Sequence, residues 1–471
     1  MVMWVRIGVW AGCAAGFLVF ACGNSSDHSK PGAVGGMEQA GAGDTSAGGG
    51  ILGSMGGAGA TVAGSGGNGG AGTVIPTQGG SGGSAGAGVC NQTMDNAACW
   101  SSRSVDALTQ NQPVLYGAIF DGQRIVFPNG TTGYEDYHVQ IDTQLDFVST
   151  GKSFNSNPAI GNGYRGGTFD GRYVYLTPTQ AESNGAAAQN YDTVAARYDS
   201  QGNFSSAESW SSFNLTQKSG TADLTVPGYR GAAFDGRYVY FAPNAVGDTA
   251  SGNATRYDTQ APFNDKASWT DFDLTTVNAH AVAFNGAVLA GKYLYFLPSS
   301  QDSFATRYDT TAQFDDKASW STFDVKTLDP AAYLFKGGVF DGRYLYLSSY
   351  QAHKGFIARY DTQASFEDAS SWAIYNPIGA GFNDSISSGG AAYDGRYVYF
   401  VPAGSGSLVR YDPKLPFDSA EAWTKHRMTT QSTGAAFDGR YLYLVPQGFG
   451  SIQRFEARAK DDPGPTQASF Y

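Results

Sequence analysis

Histidine, cysteine and charge are all scarce here. Five histidines and four cysteines are spread over 471 residues, and only 15% of residues are charged. In the region of repeats described below, the histidines are His138, His280, His353 and His426. No two of these stand at a metal-ligand spacing, and no repeat brings two to the same offset. No Gly-x-Ser-x-Gly elbow or His-Glu-x-x-His helix is present, and no Asp box of the Ser-x-Asp-x-Gly-x-Thr-Trp kind. The runs of glycine are not followed by Lys-Ser/Thr, so no phosphate loop is expected. Basic residues number 30 against 41 acidic ones, for a net charge of −11. Binding nucleic acid through its backbone needs a basic footprint, so that partner is not expected. These absences predict no catalytic residue, no metal and no cofactor.

Long apolar runs are missing too, apart from one near the start. Residues 7–20 are apolar behind the single charge of Arg6, which is the length of a signal h-region and short for a membrane span. The run closes on Val19-Phe20-Ala21-Cys22, which resembles the box of a bacterial lipoprotein. That resemblance implies that residues 1–21 are a signal peptide and that Cys22 is lipidated, anchoring an exported protein to a membrane. In a Gram-negative host, Gly23 after the lipidated cysteine implies the outer membrane. An ordinary secretory signal is the alternative. Cys13 would leave with the signal, so Cys90 and Cys99 remain as a candidate disulfide, which an exported compartment permits.

Residues 22–89 are mostly Gly, Ala and Ser. Such a chain buries too little apolar surface to offset its ordering entropy, so a flexible tether with a reach on the order of 45 Å is expected. At Cys90 the composition shifts, and aromatics become abundant.

Residues 90–471 repeat themselves. One phrase recurs seven times: around Asp121-Gly122, Asp170-Gly171, Asp235-Gly236, Ala290-Gly291, Asp341-Gly342, Asp394-Gly395 and Asp438-Gly439, usually as Phe-Asp-Gly-Arg-Tyr. A second phrase follows: Arg197-Tyr198-Asp199, Arg256-Tyr257-Asp258, Arg307-Tyr308-Asp309, Arg359-Tyr360-Asp361 and Arg410-Tyr411-Asp412, with weaker copies at Ile141-Asp142 and Arg454-Phe455-Glu456. The third is built on Trp210, Trp269, Trp320, Trp372 and Trp423, with Phe213, Phe272, Phe323 and Tyr375 three residues after the first four.

Each unit reads as four short strands: a small-residue inner strand, an Asp-Gly hairpin loop of the type I′ kind, an aromatic and β-branched strand, the Arg-Tyr-Asp strand and an outer Trp strand. Seven such units predict an all-β fold, a seven-bladed β-propeller of four-stranded blades. The last unit has no Trp phrase after it, whereas Cys99-Trp100-Ser101-Ser102-Arg103 near the start looks like Ser319-Trp320-Ser321-Thr322-Phe323. The N-terminal segment is therefore expected to supply the outer strand of the seventh blade and close the ring, with Cys90–Cys99 restraining that latch. Together these features resemble kelch repeats, although Pro178, Pro243, Pro298 and Pro402 stand where that family carries a double glycine.

Residues repeated in every blade read as structural, so function is sought where the repeats differ. The residue before each inner-strand glycine or Gly-Ala pair reads Tyr116, Arg165, Arg230, Asn285, Lys336, Gly389 and Thr433. Three cations at one mouth of the channel of an acidic protein could attract a carboxylate, an acidic peptide or an acidic sugar. Alternatively they pair with acids such as Asp223 and Asp329. Loop residues Tyr134, Tyr137, His138, Tyr191, Tyr350 and His353 form a second candidate surface. The expected function is binding of a protein, glycan or acidic small-molecule partner by a monomeric, tethered module. A glycan-acting enzyme and a structural envelope protein are the alternatives.

Overall fold

A computed structural model describes residues 89–109, 114–130, 137–156, 160, 163–179, 193–217, 226–350, 355–376, 388–403, 406–448, 450–460 and 462. The expected signal, Cys22 and the tether up to residue 88 lie outside the described residues, as do Tyr134, Tyr191, Asp223 and His353.

Seven antiparallel sheets follow one another round a ring. Blade 2 shows the plan, with strands a to d running outward from the axis as Tyr164–Phe169, Tyr173–Pro178, Val194–Asp199 and Trp210–Asn214. In blade 7, strand d is the N-terminal Trp100–Ser104, paired with Ser451–Glu456 in the register Trp100↔Phe455 to Ser104↔Ser451. The predicted closure is therefore present, and so is the Cys90–Cys99 disulfide. The Cys90 sulfur lies 3.8 Å from the carbonyl of Glu456, where strand c of blade 7 ends. In every other blade a peptide loop joins strand c to strand d; here the disulfide closes the loop that leads into strand d.

The axis explains the small inner strands. A Cβ placed on Gly117 would meet the Gly166 backbone at 2.8 Å, one on Gly231 that of Gly286 at 2.7 Å, and one on Gly337 that of Gly390 at 2.5 Å. Any larger residue there would collide with the neighbouring blade's main chain.

Between blades, one contact repeats. Arg256 lies between Tyr238 of its own blade (4.2 Å) and Phe314 of the next (4.7 Å). Arg197, Arg307 and Arg359 do the same, and Arg454 joins blade 7 to Phe147 of blade 1 at 4.4 Å. In blades 2 to 6 the tryptophan indole donates to the carbonyl of the phenylalanine six residues before it, as Trp269 does to Phe263 at 3.0 Å, and in blade 7 Trp100 donates to the Met94 carbonyl instead. Phe213, Phe272, Phe323 and Tyr375 stack on the next blade's Trp.

The hairpin corrects one expectation. Its central residues are Gly171-Arg172, and only the glycine has positive φ (+101°), so the loop is not type I′, which needs both positive. The aspartate acts as a clamp instead. Asp235 accepts from the backbone N–H of Arg237 and Tyr238 through one oxygen, and from the Tyr240 hydroxyl (2.6 Å) through the other. Two blades carry half of this clamp. Ala290 offers Tyr295 no carboxylate, and in blade 1 Val126 provides no hydroxyl for Asp121.

Candidate functional site

Strand a enters each blade from the end to which strand b returns, so the b–c loops and the residues preceding the ring glycines share one end of the propeller. The Asp-Gly-Arg hairpins occupy the other. At that hairpin end the chemistry is uniform. Arg172 pairs with Asp199 (2.8 Å), Arg237 with Asp258, Lys292 with Asp309, Arg343 with Asp361, Arg396 with Asp412 and Arg440 with Glu456. The Arg172 hydrogen bond holds the Asp199 carboxyl below the usual carboxylate range. In six blades the hairpin cation is spent on the acid at the end of its own strand c, and in blade 1 the neutral Gln123 at that position donates to Asp142 there.

The mouth end is built differently. Strand a loses register with strand b at the same place in blade after blade: between Tyr164 and Gly167, Tyr229 and Ala232, Phe284 and Ala287, Phe335 and Gly337, Ser388 and Gly390, and Ser432 and Gly434. Arg165, Arg230, Asn285, Lys336, Gly389 and Thr433 all lie inside these bulges. A β-bulge turns side chains out of the regular alternation and is common beside binding sites. In blades 2 to 4 the bulge also contains the ring glycine at positive φ, from +83° at Gly166 to +126° at Gly286. The sequence alignment identified the mouth positions without revealing the bulge that displays them; the Gly-Gly and Gly-Ala pairs beside them were its only trace.

The structure separates the predicted mouth residues into two groups. Asn285 is an inter-blade tie, its Nδ2 donating to the backbone carbonyl of Lys336 at 2.6 Å. Thr433 is another, its hydroxyl donating to the Leu115 carbonyl across the blade 7 to blade 1 joint at 3.2 Å. The cations are held by aromatic rings. Arg165 lies 4.7 Å over the ring of Tyr116, and Gly130 gives that ring its space, since a Cβ there would overlap it. The Lys336 ammonium sits 3.1 Å over the ring of Tyr350, the b–c loop residue of the same blade. All six side chains named here, with that of Arg230, are half-buried. The mouth and the loop surface, separate in the sequence reading, thus meet in blade 5. Asp329 caps the turn at Ala331 through a 2.8 Å hydrogen bond.

His138 is not a loop residue. It is fully buried in strand c of blade 1, in the place of Ala195, Ala254 and Ala305. Its Nδ1 accepts from the Asn129 N–H at 3.0 Å and its ring stacks on Trp210. Burial pushes its pKa down to about 3. A neutral imidazole sealed from solvent is core packing, so the ligand role expected for His138 is withdrawn. Tyr137 opens the same strand, half-buried and opposite Asn155.

Two residues at the ring closure escaped the sequence reading. His426 follows Trp423 by three and takes the place of Phe213 or Tyr375, stacking on Trp100 (4.9 Å) with its Nδ1 3.1 Å from Asp95. A shallow groove of about 340 Å³ lies against it, lined also by Ser102, Arg427 and Gln453. Arg103, in the corresponding position after Trp100, donates to the carbonyls of Phe147 (2.7 Å) and Thr150. Elsewhere a Trp indole serves that phenylalanine carbonyl; blade 1 has no such Trp, and Arg103 reaches in from blade 7. The spacing from Trp was the available signal for both.

No family model matches this chain, and no curated protein does. Solved structures do. One described as "YCF48 bound to D1 peptide" is 13% identical, covering 76% of this chain and 96% of that one, with a TM-score of 0.48. Another, from "Crystal Structure of Mitotic Checkpoint Complex", is 9% identical over 74% of this chain and 90% of that one, with a TM-score of 0.47. These are likenesses of fold, and the ligand is argued below from the chain's own residues.

Proposed function

We propose that this protein is an exported, lipid-anchored, kelch-like propeller whose channel mouth binds an acidic ligand. One observation carries the reading: in a ring whose hairpin end is uniform, the inner-strand bulges present Arg165, Arg230 and Lys336 at one end. Carboxylates are the natural partners of such groups, and Arg offers two parallel donors to them. The aromatic supports on Tyr116 and Tyr350 hold the cations in place, which lowers the entropy lost on binding. A tether between anchor and propeller suits a module that must search for its ligand. The anchoring reading rests on Cys22 and the apolar run before it.

Thermal shift of the full chain with carboxylate ligands tests the site. A ligand at 100 times its Kd stabilises by about 2.7 kcal/mol. The shift is expected to vanish in the R165A/R230A/K336A variant; a shift that survives would overturn the mouth as the site. Inhibiting the lipoprotein signal peptidase, or making Cys22→Ala, is expected to leave the precursor uncleaved. Normal processing would remove the anchor from the proposal.

A further inference from the structure

Successive blades are not linked alike round the ring. Ten residues, 274–283, separate strand d of blade 3 from strand a of blade 4, and fourteen, 105–118, carry the chain from blade 7 to blade 1. Between strand d of blade 6 (Trp423–Arg427) and strand a of blade 7 (Ser432–Phe437) there are only four, 428–431. The longer links serve one outer-strand position of the blade they enter. Thr322 stands there in blade 4, Ser153 in blade 1 and Ser102 in blade 7, opposite Thr306, Val139 and Gln453 of strand c. Asn278 donates to Thr322 at 3.1 Å, and Ser153 donates to the Leu108 carbonyl at 2.9 Å. The short link gives blade 7 no such contact: among the described residues, the Ser102 hydroxyl has no hydrogen-bond partner. The side-chain carbonyl oxygen of Gln453 across from it is buried and equally unpartnered.

This uncovered joint is the groove of about 340 Å³ beside His426. Sites for small ligands run from roughly 300 to 1,000 Å³, so it is of the smallest useful size. Ser102 and Gln453 line it together with Trp100. The tryptophans of blades 2 to 6 are at most 7% exposed, whereas Trp100 is only half-buried. Its indole N–H is spent on the Met94 carbonyl at 2.7 Å, so what it offers the groove is ring carbon. Asp95 holds Nδ1 of His426 at 3.1 Å. A carboxylate only accepts, so in the neutral ring Nδ1 carries the proton and Nε2 is an acceptor. Arg427 also lines the groove but already has a partner.

We infer that this groove is a second binding site, separate from the mouth, for a neutral saccharide of one or two rings. Its polar groups ask mainly for donors, since the Gln453 oxygen, His426 Nε2 and Asp95 all accept, while Ser102 does both. Sugar hydroxyls donate and accept alike, and the C–H faces of a sugar ring suit the ring carbon of Trp100. The one exposed carboxylate is already set against His426, so the ligand needs no charge. A hydroxyl placed on Gln453 pairs an oxygen that the fold leaves unsatisfied, a gain that a solvated acceptor does not offer.

The test is saturation-transfer difference NMR of the full chain with maltose, cellobiose, lactose and N,N′-diacetylchitobiose. One of these is expected to bind saturably. Gln453→Leu is expected to weaken it at least about tenfold. The same variant should melt no lower than the wild type, because a similar-sized apolar side chain removes an unpaired polar atom; a residue needed only for packing would not give that split. Ser102→Leu fills the groove from the other strand and is expected to abolish binding, whereas R165A/R230A/K336A is expected to retain it. If no sugar binds, the inference fails and the reading of the mouth is untouched. If binding survives both groove variants, or is lost in the mouth variant, the groove is overturned as the site. If putrescine binds instead and Asp95→Asn abolishes it, the groove takes a cation and the saccharide is overturned.

Discussion

The two ends of this propeller use the same residue types to opposite effect. At the hairpin end, arginine follows glycine in five of the seven blades and is tied to an acid at the end of the neighbouring strand c, so its charge is cancelled within its own blade. At the mouth, arginine or lysine occurs in only three blades, on a bulge, and Arg165 and Lys336 are set against the aromatic rings of Tyr116 and Tyr350. Repetition marks residues needed to make a blade, and departure from it is where recognition can reside. Departure alone is not enough, as His138 shows: it breaks the repeat as sharply as Lys336 does, and is buried.

The largest effect that would sharpen this contrast is at the closure. Deleting residues 90–104 removes the outer strand of blade 7, its disulfide and the Arg103 bonds to blade 1, and is expected to cost more than about 4 kcal/mol. A circular dichroism melt that does not move would break the account of how the ring is closed. Next comes a paired substitution of two arginines 26 residues apart in blade 3. Arg256→Ala loses the sandwich between Tyr238 and Phe314 and is expected to cost about 2–3 kcal/mol. Arg230→Ala at the mouth is expected to cost less than about 1 kcal/mol. Equal losses in urea denaturation would erase the distinction between an arginine that joins blades and one at the mouth.

A third prediction concerns pH. The buried imidazole of His138 has its pKa pushed down to about 3, whereas an unfolded histidine titrates near 6.5. Below that value the unfolded chain binds the proton and the folded one does not, so stability falls as pH drops from about 6.5 towards 3, by up to about 1.4 kcal/mol per unit. Between pH 6.5 and 4.5 the wild type is expected to lose about 2 kcal/mol more than His138→Leu, measured as urea midpoints. Parallel pH profiles would return His138 to the exposed candidates. The smallest effect is in the aspartate clamp. Tyr240→Phe strands an oxygen of Asp235 and is expected to cost about 1–2 kcal/mol. Tyr295→Phe, whose hydroxyl faces Ala290 rather than a carboxylate, is expected to be nearly neutral, and a similar cost for both would remove the clamp as a source of stability.

Much of this was legible beforehand. The blade count, the latch and the pairing of Cys90 with Cys99 could be read because each depends on a phrase that is contiguous in the chain. The mouth positions were legible as an alignment column. The bulge was not, because register is a relation between two strands. Nor was the division of labour among the column's members: Asn285 and Thr433 tie blades together through carbonyls of Lys336 and Leu115, partners that lie 51 and 318 residues away. Arg103 and His426 carried a readable signal in their distance from Trp100 and Trp423, but what each replaces is seen only beside the neighbouring blade.

By itself, the sequence determined that the chain folds as seven blades and that its first strand completes the last. Small inner strands, glycine hairpins and aromatic outer strands leave each repeat an exposed apolar face that only the next repeat can cover. Tertiary structure alone decided what the irregular residues touch. Burial took His138 into the core, hydrogen bonds committed Asn285 and Thr433 to the joints, and the bulge of blade 2 set Arg165 over the Tyr116 ring of blade 1. These outcomes depend on contacts between blades, and such contacts exist only once the ring is closed.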